Sequence, residues 1–559
     1  MACRIGWLGV LCVFLCLSCG VVMTAAGQPK GETDRLKWWR EARFGLFVHW
    51  GPVSLKGTEI GWSRGGERRG RTGRGPIPVE VYDNLYKEFN PVDFDAKEWI
   101  GIAQRAGMKY LVFTSKHHDG FCMFDTALTD YKITNSPFKR DVVAELADAC
   151  HEAGFGLGFY YSPPDWHHPD YRTDNHDQYI EYVHGQLREL CTKYGKIDII
   201  WFDGLGGTKD TWDSEKLIAM IRGLQPHVII NNRAGLPEDH DTPEQNVGAF
   251  QRERPWETCM TICRQWAWKP DDKMKSLEEC LDVLVNCAGG DGNLLFNVGP
   301  MPTGAIEPRQ VERLLEMGAW LDQYGETIYG TRGGPFKPGH WGASTCRGNT
   351  AYVHVLNWDA AAPHLTLPAI AAKVVGHRVL TGGTAEVSQS DDGIVVTVPE
   401  AARVEPDTII ALELDRPAFD VPPMGIPSRS VATGMKATAS NNVYRKMADY
   451  APDKAFDDDD GTRWATDSGT HEAWLQVELD EPATVGQVAI KESCGDRVQD
   501  FVLQYQDGAA WKTFYEGTTI GKDFYAAFDP VTAKTFRLDI RRATEGPTIW
   551  EFHLIPPKE

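Results

Sequence analysis

"KIDIIWFDGLGG", residues 196–207, is an apolar run that ends in a carboxylate and then in glycines. Five of the six residues from Ile197 to Phe202 are apolar, and three of them are isoleucine. Such a run predicts a buried strand of a parallel sheet. In a strand, Ile197, Ile199, Trp201 and Asp203 share one face and Asp198 lies on the other. Asp203 therefore stands at the strand's C-terminal end, on the face that carries the tryptophan.

Six further runs have the same texture: "RFGLFVHWG" (43–51), "KYLVFTSKHHDGF" (109–121), "FGLGFYYSPPDW" (155–166), "HVIINNRAG" (227–235), "PWETCMTI" (255–262) and "GNLLFNVGP" (292–300). Between them lie helical patterns such as "DFDAKEWIGIAQRAG" (93–107), "RDVVAELADACHEAG" (140–154) and "SLEECLDVLVNCAGG" (276–290). The last opens with Ser276 and, three residues on, Glu279, the signature of a capping box. Alternation of strand and helix from Leu36 to about Pro300 predicts an α/β fold, a (β/α)8-like barrel, over residues 30–335. Barrel enzymes carry their chemistry at the C-terminal ends of the strands. Here those ends are His49-Trp50, His117-His118-Asp119, Tyr160-Tyr161, Asp203, Arg233 and the acids of 244–257. Polar capping of strand ends accounts for one or two of these. Five or more on one face predict an active site.

Downstream, "AYVHVLNW", "HLTLP" and "GIVVTVP" alternate with period two between turn residues, which predicts an antiparallel β-sandwich over 336–416. A proline-rich linker (417–430) and a second all-β unit (431–559) follow. The fold class is thus a barrel followed by two all-β sandwich domains, in keeping with two to four domains for 559 residues. At the other end, Arg4 precedes an apolar run from Ile5 to Met23, and the small residues Thr24, Ala25 and Ala26 follow. Residues 1–26 read as a signal peptide, so the protein is expected to be secreted or periplasmic. A signal anchor and a lipoprotein signal at "CLSCG" are the weaker readings, the second because Cys16 stands where Leu is usual.

The formal net charge is −20, which excludes nucleic acid and anionic lipid as partners held by bulk electrostatics. No stable membrane partner is expected, and an oligomer is compatible with the composition. One insert runs against the overall charge: "SRGGERRGRTGRGP", residues 63–76, carries five arginines. It reads either as a disordered loop or as a contact for a sulfated glycan. Of the 13 cysteines four lie in the leader, and the other nine are scattered without paired CxxC spacing. They form neither a disulfide framework nor a zinc site.

Two acids across a scissile bond are the machinery of glycoside hydrolysis. Asp203 supplies one, and Glu244, Glu253 and Glu257 are candidates for the other, a choice that spacing leaves open. A histidine pair with acids is also metal chemistry. Adjacent His117 and His118 point to opposite faces of a regular strand, which argues against a chelating pair.

In order and spacing, "RFGLFVHWG", "KHHDGF", "GFYYS", "WFDG", "NNR", "PWETC" and "GNLLFNVGP" resemble the catalytic domain of glycoside hydrolase family 29, the α-L-fucosidases. The resemblance covers residues 36–335. It implies a retaining exo-hydrolase for terminal α-linked L-fucose on fucosylated glycans, working without a metal or organic cofactor. It assigns Asp203 as nucleophile and His49, His117, His118, Tyr160 and Arg233 to the sugar pocket. The stretch "EIGWSR" departs from the family's usual Glu–Trp element, and Glu59 and Trp62 are the matching residues. Two positions match the family's acid/base: Glu244, shortly after "NNR", which is favoured, and Glu257 in "WETC". A catalytically inactive glycan-binding protein and an exo-glycosidase for α-L-galactosides are the alternatives. Fucose and galactose share the arrangement of hydroxyls 2 to 4.

The C-terminal unit, with "ATASNN", "KAFDDDDGTRWAT" and "IWEFHL", resembles discoidin-like domains, including family 32 carbohydrate-binding modules. That resemblance implies a β-sandwich with a structural calcium, for which Asp457, Asp460, Thr462 and Glu551 supply hard oxygen ligands. A solvated acidic turn is the plainer reading of the same run.

Overall fold

The computed structural model describes residues 30–557, apart from 72, 359–363, 427–428, 441–443, 445–446, 460, 494–496 and 522–523; side chains are described from residue 35. The expected leader and Asp460 lie outside the described residues. Among the described residues, no helix is long and apolar enough to cross a membrane.

All seven predicted runs form strands: β1 (Phe44–Val48), β2 (Tyr110–Lys116), β3 (Gly156–Tyr161), β4 (Ile199–Phe202), β5 (Ile229–Ile230), β6 (Glu257–Thr261) and β7 (Asn293–Val298). They make one parallel sheet in the order β5-β4-β3-β2-β1-β7-β6. Closure between β5 and β6 falls to an irregular stretch, residues 239–245. Asn232 N donates to His240 O (3.0 Å) on the β5 side, and Glu257 N and Cys259 N donate to Asp241 O (2.9 Å) and Pro243 O (3.0 Å) on the β6 side. Single bridges pair Asn231 with His240, Asp241 with Trp256 and Glu244 with Cys259. This stretch stands in for an eighth strand, and it carries Glu244 up along β6.

Side chains alternate as the pleat requires. Leu111, Phe113, Ile200 and Phe202 point outward into the core beneath the helices. Phe47, Tyr110, Val112, Tyr160, Ile199, Trp201 and Cys259 fill the barrel interior, with Trp39 of the N-terminal helix at its base. The predicted inward face of β4 holds for Ile199, Trp201 and Asp203. Ile197 precedes the strand and belongs to the outer core. Gly45 makes room for the Tyr110 ring, since a Cβ there would fall 2.2 Å from it. The helix Leu277–Gly289 begins with the predicted capping box.

The first β-domain is an antiparallel pair of sheets of five and three strands around Phe336, Val353, Ile394, Val396 and Ile410. It begins earlier than expected, because Arg332–Gly333 pairs with Gly342–Arg347. Ala343 and Ile409 join the barrel's outer core, which binds the two units together. The expected linker is docked over its first half. Met424 N donates to Pro335 O (2.8 Å), and Arg252 of the barrel domain donates to Phe419 O (2.9 Å). The C-terminal unit is an antiparallel sheet system whose two 20-residue strands, Ala473–Glu492 and Phe524–Ala543, bend at register shifts around their own core. Its Gly461 loop comes near the barrel domain, where a Cβ on Gly461 would lie 3.4 Å from Ala249.

Candidate active site

A cavity of about 640 Å³ opens at the C-terminal ends of the strands and is lined by His49, Trp62, His117, His118, Tyr160, Asp203, Arg233 and Glu244. Eight of the predicted site residues thus meet in one pocket. Its floor is aromatic, with Phe47, Trp201 and Trp266. Phe47 and Trp201 sit on the inward faces of strands already read as strands. Trp266 was missed: it follows β6 in "RQWAWKP", a strand-end aromatic whose position alone was a signal.

Asp203 leaves β4 with its backbone N bonded to Tyr161 O (3.2 Å). Its Oδ2 accepts from the Tyr160 hydroxyl (3.0 Å) and faces His118 Nε2 (3.4 Å), and its Oδ1 is 3.3 Å from Arg233 Nη1. Burial opposes its charge, but the hydrogen bond and charge interaction with His118 and the charge of Arg233 outweigh it, and the carboxyl is held far below the usual range.

Arg233 follows β5 on the turn Asn232–Ala234. Its Nε donates to Thr242 Oγ1 (2.7 Å) and its Nη2 to Thr242 O (2.9 Å), and its guanidinium lies over Trp201, 4.7 Å from the ring centroid. So fixed, Nη1 reaches Glu244 Oε2 at 2.8 Å as well as Asp203. Because both oxygens contact one nitrogen, at 3.3 and 2.8 Å, they lie within about 6 Å of each other. The Glu244 side chain is 44% exposed, at the rim.

The histidines are set by their neighbours. Asn297 Nδ2 donates to Trp266 O (2.8 Å), so Asn297 Oδ1 is the acceptor for His49 Nδ1–H (2.7 Å). His49 then presents Nε2 as an acceptor. Burial lowers its pKa to about 3, which keeps it neutral. His118 Nδ1 meets Ser162 Oγ (2.6 Å), whose own proton goes to Pro164 O (2.6 Å). Burial also keeps His117 well below its ordinary pKa, and its ring stacks on Tyr160.

His117 and His118 do not point to opposite faces as strand parity predicts. Regular β2 ends at Lys116 with a register shift, the chain turns, and the two rings come to a centroid distance of 4.2 Å. With Asp203 they form the one cluster of three potential ligand atoms, all within 4.8 Å of one another, found among the described residues.

Three predicted residues are placed elsewhere. Glu59 does not line the cavity. Its carboxylate accepts from the backbone N–H groups of Trp266 (2.9 Å) and Ala267 (3.1 Å), and so it positions the loop that presents Trp266. Glu253 is outside the pocket lining as well. Glu257 is the first residue of β6, at the opposite end of the strand from the mouth, and is fully buried. Tyr110 and Trp39 (3.2 Å) donate to its Oε2, and burial raises its pKa to about 7 despite those bonds. It belongs to the barrel's base, a layer below Cys259 and Trp201, and the structure does not bring it to the reacting centre.

In the C-terminal unit, Thr462 Oγ1 donates to both oxygens of Asp457 (2.9 and 2.8 Å), and Glu551 Oε1 accepts from Asp459 N (2.9 Å). The donors are hard oxygens from one loop and one strand, which suits calcium. Lys454 Nζ, 3.1 Å from Asp457 Oδ2, competes there for the same carboxylate.

Residues 24–326 match the family model described as Alpha-L-fucosidase, and residues 436–552 match the one described as F5/8 type C domain. Plasma alpha-L-fucosidase of Rattus norvegicus is 31% identical over 410 residues, which cover 65% of this chain and 87% of the relative. The Homo sapiens plasma enzyme is 30% identical over 411 residues, covering 65% and 85%. Among solved structures, alpha-L-fucosidase isoenzyme 1 from Paenibacillus thiaminolyticus superposes with a TM-score of 0.62 at 36% identity, over 69% of this chain and all of that one. A GH29 alpha-L-fucosidase of Bacteroides thetaiotaomicron, trapped as a covalent intermediate with 2-fluoro-fucosyl fluoride, gives a TM-score of 0.61 at 28% identity, over 68% and 96%.

Proposed function

The chain belongs to the alpha-L-fucosidase family and is a glycoside hydrolase, and we propose that it releases terminal α-linked L-fucose by a retaining double displacement, with Asp203 as nucleophile and Glu244 as acid/base. The observation that carries this reading is the single guanidinium nitrogen shared by the two carboxylates. One oxygen of each acid lies within about 6 Å of the other, which is compatible with the ~5–5.5 Å carboxyl spacing of a covalent mechanism.

In the first step an Asp203 oxygen attacks the anomeric carbon, the glycosidic bond breaks, and the leaving oxygen takes a proton from Glu244. In the second, Glu244 removes a proton from water as the water displaces Asp203. The environment of Asp203 keeps its charge and so its nucleophilicity. His49 Nε2 accepts from a sugar hydroxyl, and His117 and His118 stand beside it to meet the others. Phe47, Trp201 and Trp266 offer the apolar contact that the sugar's methyl edge wants.

No metal or organic cofactor has a role in this chemistry. The C-terminal unit serves as a glycan-targeting module, with a structural calcium at Asp457, Thr462 and Glu551, and the enzyme acts outside the cytoplasm after its leader is removed. The test is hydrolysis of an aryl α-L-fucoside by the purified chain, followed by NMR. The α-anomer of fucose should appear first. First release of the β-anomer would refute the retaining mechanism, and no hydrolysis would refute the substrate.

A further inference from the structure

We propose that Arg71, on the pocket rim, recognises an anionic oxygen group, a sulfate ester or a carboxylate, on the sugar that bears the fucose. This rests on the reading of Asp203 and Glu244 given above.

The described residues of the arginine-rich insert are folded rather than disordered, and its arginines are not equivalent. Its ends are tied together by Gly75 N to Arg64 O (2.8 Å) and Ile77 N to Ser63 O (3.0 Å). Arg64 pairs with Asp83 (2.6 Å). Arg68 lies against the Trp62 and Trp166 rings, at 5.2 and 5.3 Å. Arg69 donates to the carbonyls of Pro169 (2.6 Å) and Tyr171 (2.7 Å). Arg64 thus ties the loop to the segment that follows it, and Arg68 and Arg69 tie it to the loop after β3. Arg71 is the one that lines the cavity. Its Nη2 donates to Leu205 O (3.1 Å), two residues past Asp203, in an exposed contact. No carboxylate pairs with it among the described residues. A guanidinium has five N–H donors, so one carbonyl contact leaves most of them facing the rim.

Rim and floor divide the work. A sugar ring held against His49, His117, Tyr160 and Asp203 sits in the buried part, and its neighbour leaves past exposed Glu244, on the rim that Arg71 shares. The cavity's other guanidinium, Arg233, is already committed to Asp203 and Glu244. In a chain of net charge −20, an acidic glycan would be repelled unless a local cation received it. Arg71 is placed to be that cation, and its planar fork suits a sulfate or a carboxylate.

The test compares kcat/KM of the full chain for three substrates: α-L-fucosyl-galactose, its galactose 6-sulfate, and α-L-fucosyl-galacturonic acid. The wild type should prefer at least one anionic substrate, the preference should shrink with added salt, and which one it prefers separates sulfate from carboxylate. Arg71→Gln should cut the anionic-to-neutral ratio about three- to tenfold, as expected of a partly exposed charge-assisted contact. Arg71→Lys should restore part of it. A wild type indifferent to the charge overturns the proposal. So does an Arg71→Gln variant that loses all three substrates equally, which is what a mere prop for the Leu205 loop would do. If no fucoside is cleaved, the catalytic reading fails, and calorimetric binding of the same three compounds to wild type and Arg71→Gln still decides the role of Arg71.

Discussion

Arg233 Nη1 lies 2.8 Å from Glu244 Oε2, the same nitrogen that stands 3.3 Å from Asp203 Oδ1. One cation thus serves both acids, and after His118 it is the group that holds the Asp203 carboxyl far below the ordinary carboxylate range. Arg233→Met removes its part of that support and leaves the part of His118, so the pKa of Asp203 rises. The nucleophile is then lost at higher pH on acidification. The acid limb of the kcat/KM profile should move upward, and the rate at neutral pH should drop about a hundredfold, on the scale of losing one charged contact at a reacting centre. A variant with reduced rate and an unmoved acid limb would leave Arg233 only a binding role.

Asp203 stands on the inward face of β4 and receives Tyr160, His118 and Arg233. Asp203→Ala should lower turnover at least about a thousandfold, since the carboxylate held in place for the covalent bond is gone. Azide fits the space left by the carboxylate and should restore turnover by forming a fucosyl azide. Near-wild-type turnover in this variant would remove Asp203 from the mechanism.

Much of this arrangement is legible in the sequence. The seven strands, their inward parity and their reactive ends follow from apolar runs that end in His, Tyr, Asp or Arg. Three features are not legible, each for a physical reason. The convergence of His117 and His118 depends on the exact residue at which β2 stops, and hydrophobic pattern does not set strand ends that finely. The depth of Glu257 in the barrel depends on register, which places Glu257 opposite Asn293 at the strand's start. Period-two alternation gives the face and not the height. The role of Glu59 arises from a contact of its carboxylate with a loop some 200 residues away, whose backbone N–H donors carry no sequence signal.

Glu257 makes a prediction about stability. Its pKa is about 7 in the fold against an ordinary 4.5. The folded state therefore holds a proton that the unfolded chain has released. The stabilisation is complete below pH 4.5, falls as pH rises, and is gone above about pH 7, a change of order 3 kcal/mol. Glu257→Gln has no proton to lose. Calorimetric unfolding of the barrel should show the variant gaining on wild type between pH 5 and pH 8. A difference that is constant over that interval would show that Glu257 keeps its charge inside the barrel.

The C-terminal module should respond to calcium. Binding at Asp457, Thr462 and Glu551 has to displace Lys454 from Asp457, and a ligand that binds only the folded module raises its stability. Calcium should raise the module's Tm, EDTA should lower it, and Asp457→Asn should abolish the difference. Deleting residues 425–559 should leave hydrolysis of small fucosides nearly intact, because the cavity is lined by the barrel and its loops. An unfolding profile insensitive to calcium would make the acidic turn a solvated one.

The last prediction separates the acid/base from the buried glutamate. A general acid matters most when the leaving group is poor, because the departing oxygen then needs a proton. A nitrophenolate leaves with little help. Glu244→Ala should therefore spare the first step with activated aryl fucosides and cripple it with natural glycosides. Azide should speed the second step in this variant, because an anionic nucleophile needs no base. Glu257 lies at the base of the barrel, and its loss acts through Tyr110 and Trp39 on the packing under Trp201. Glu257→Gln should then change both substrate classes by a similar factor and gain nothing from azide. If the leaving-group dependence and the azide rescue followed Glu257→Gln and were absent from Glu244→Ala, the rim carboxylate would not be the acid, and the proton would have to come from inside the barrel.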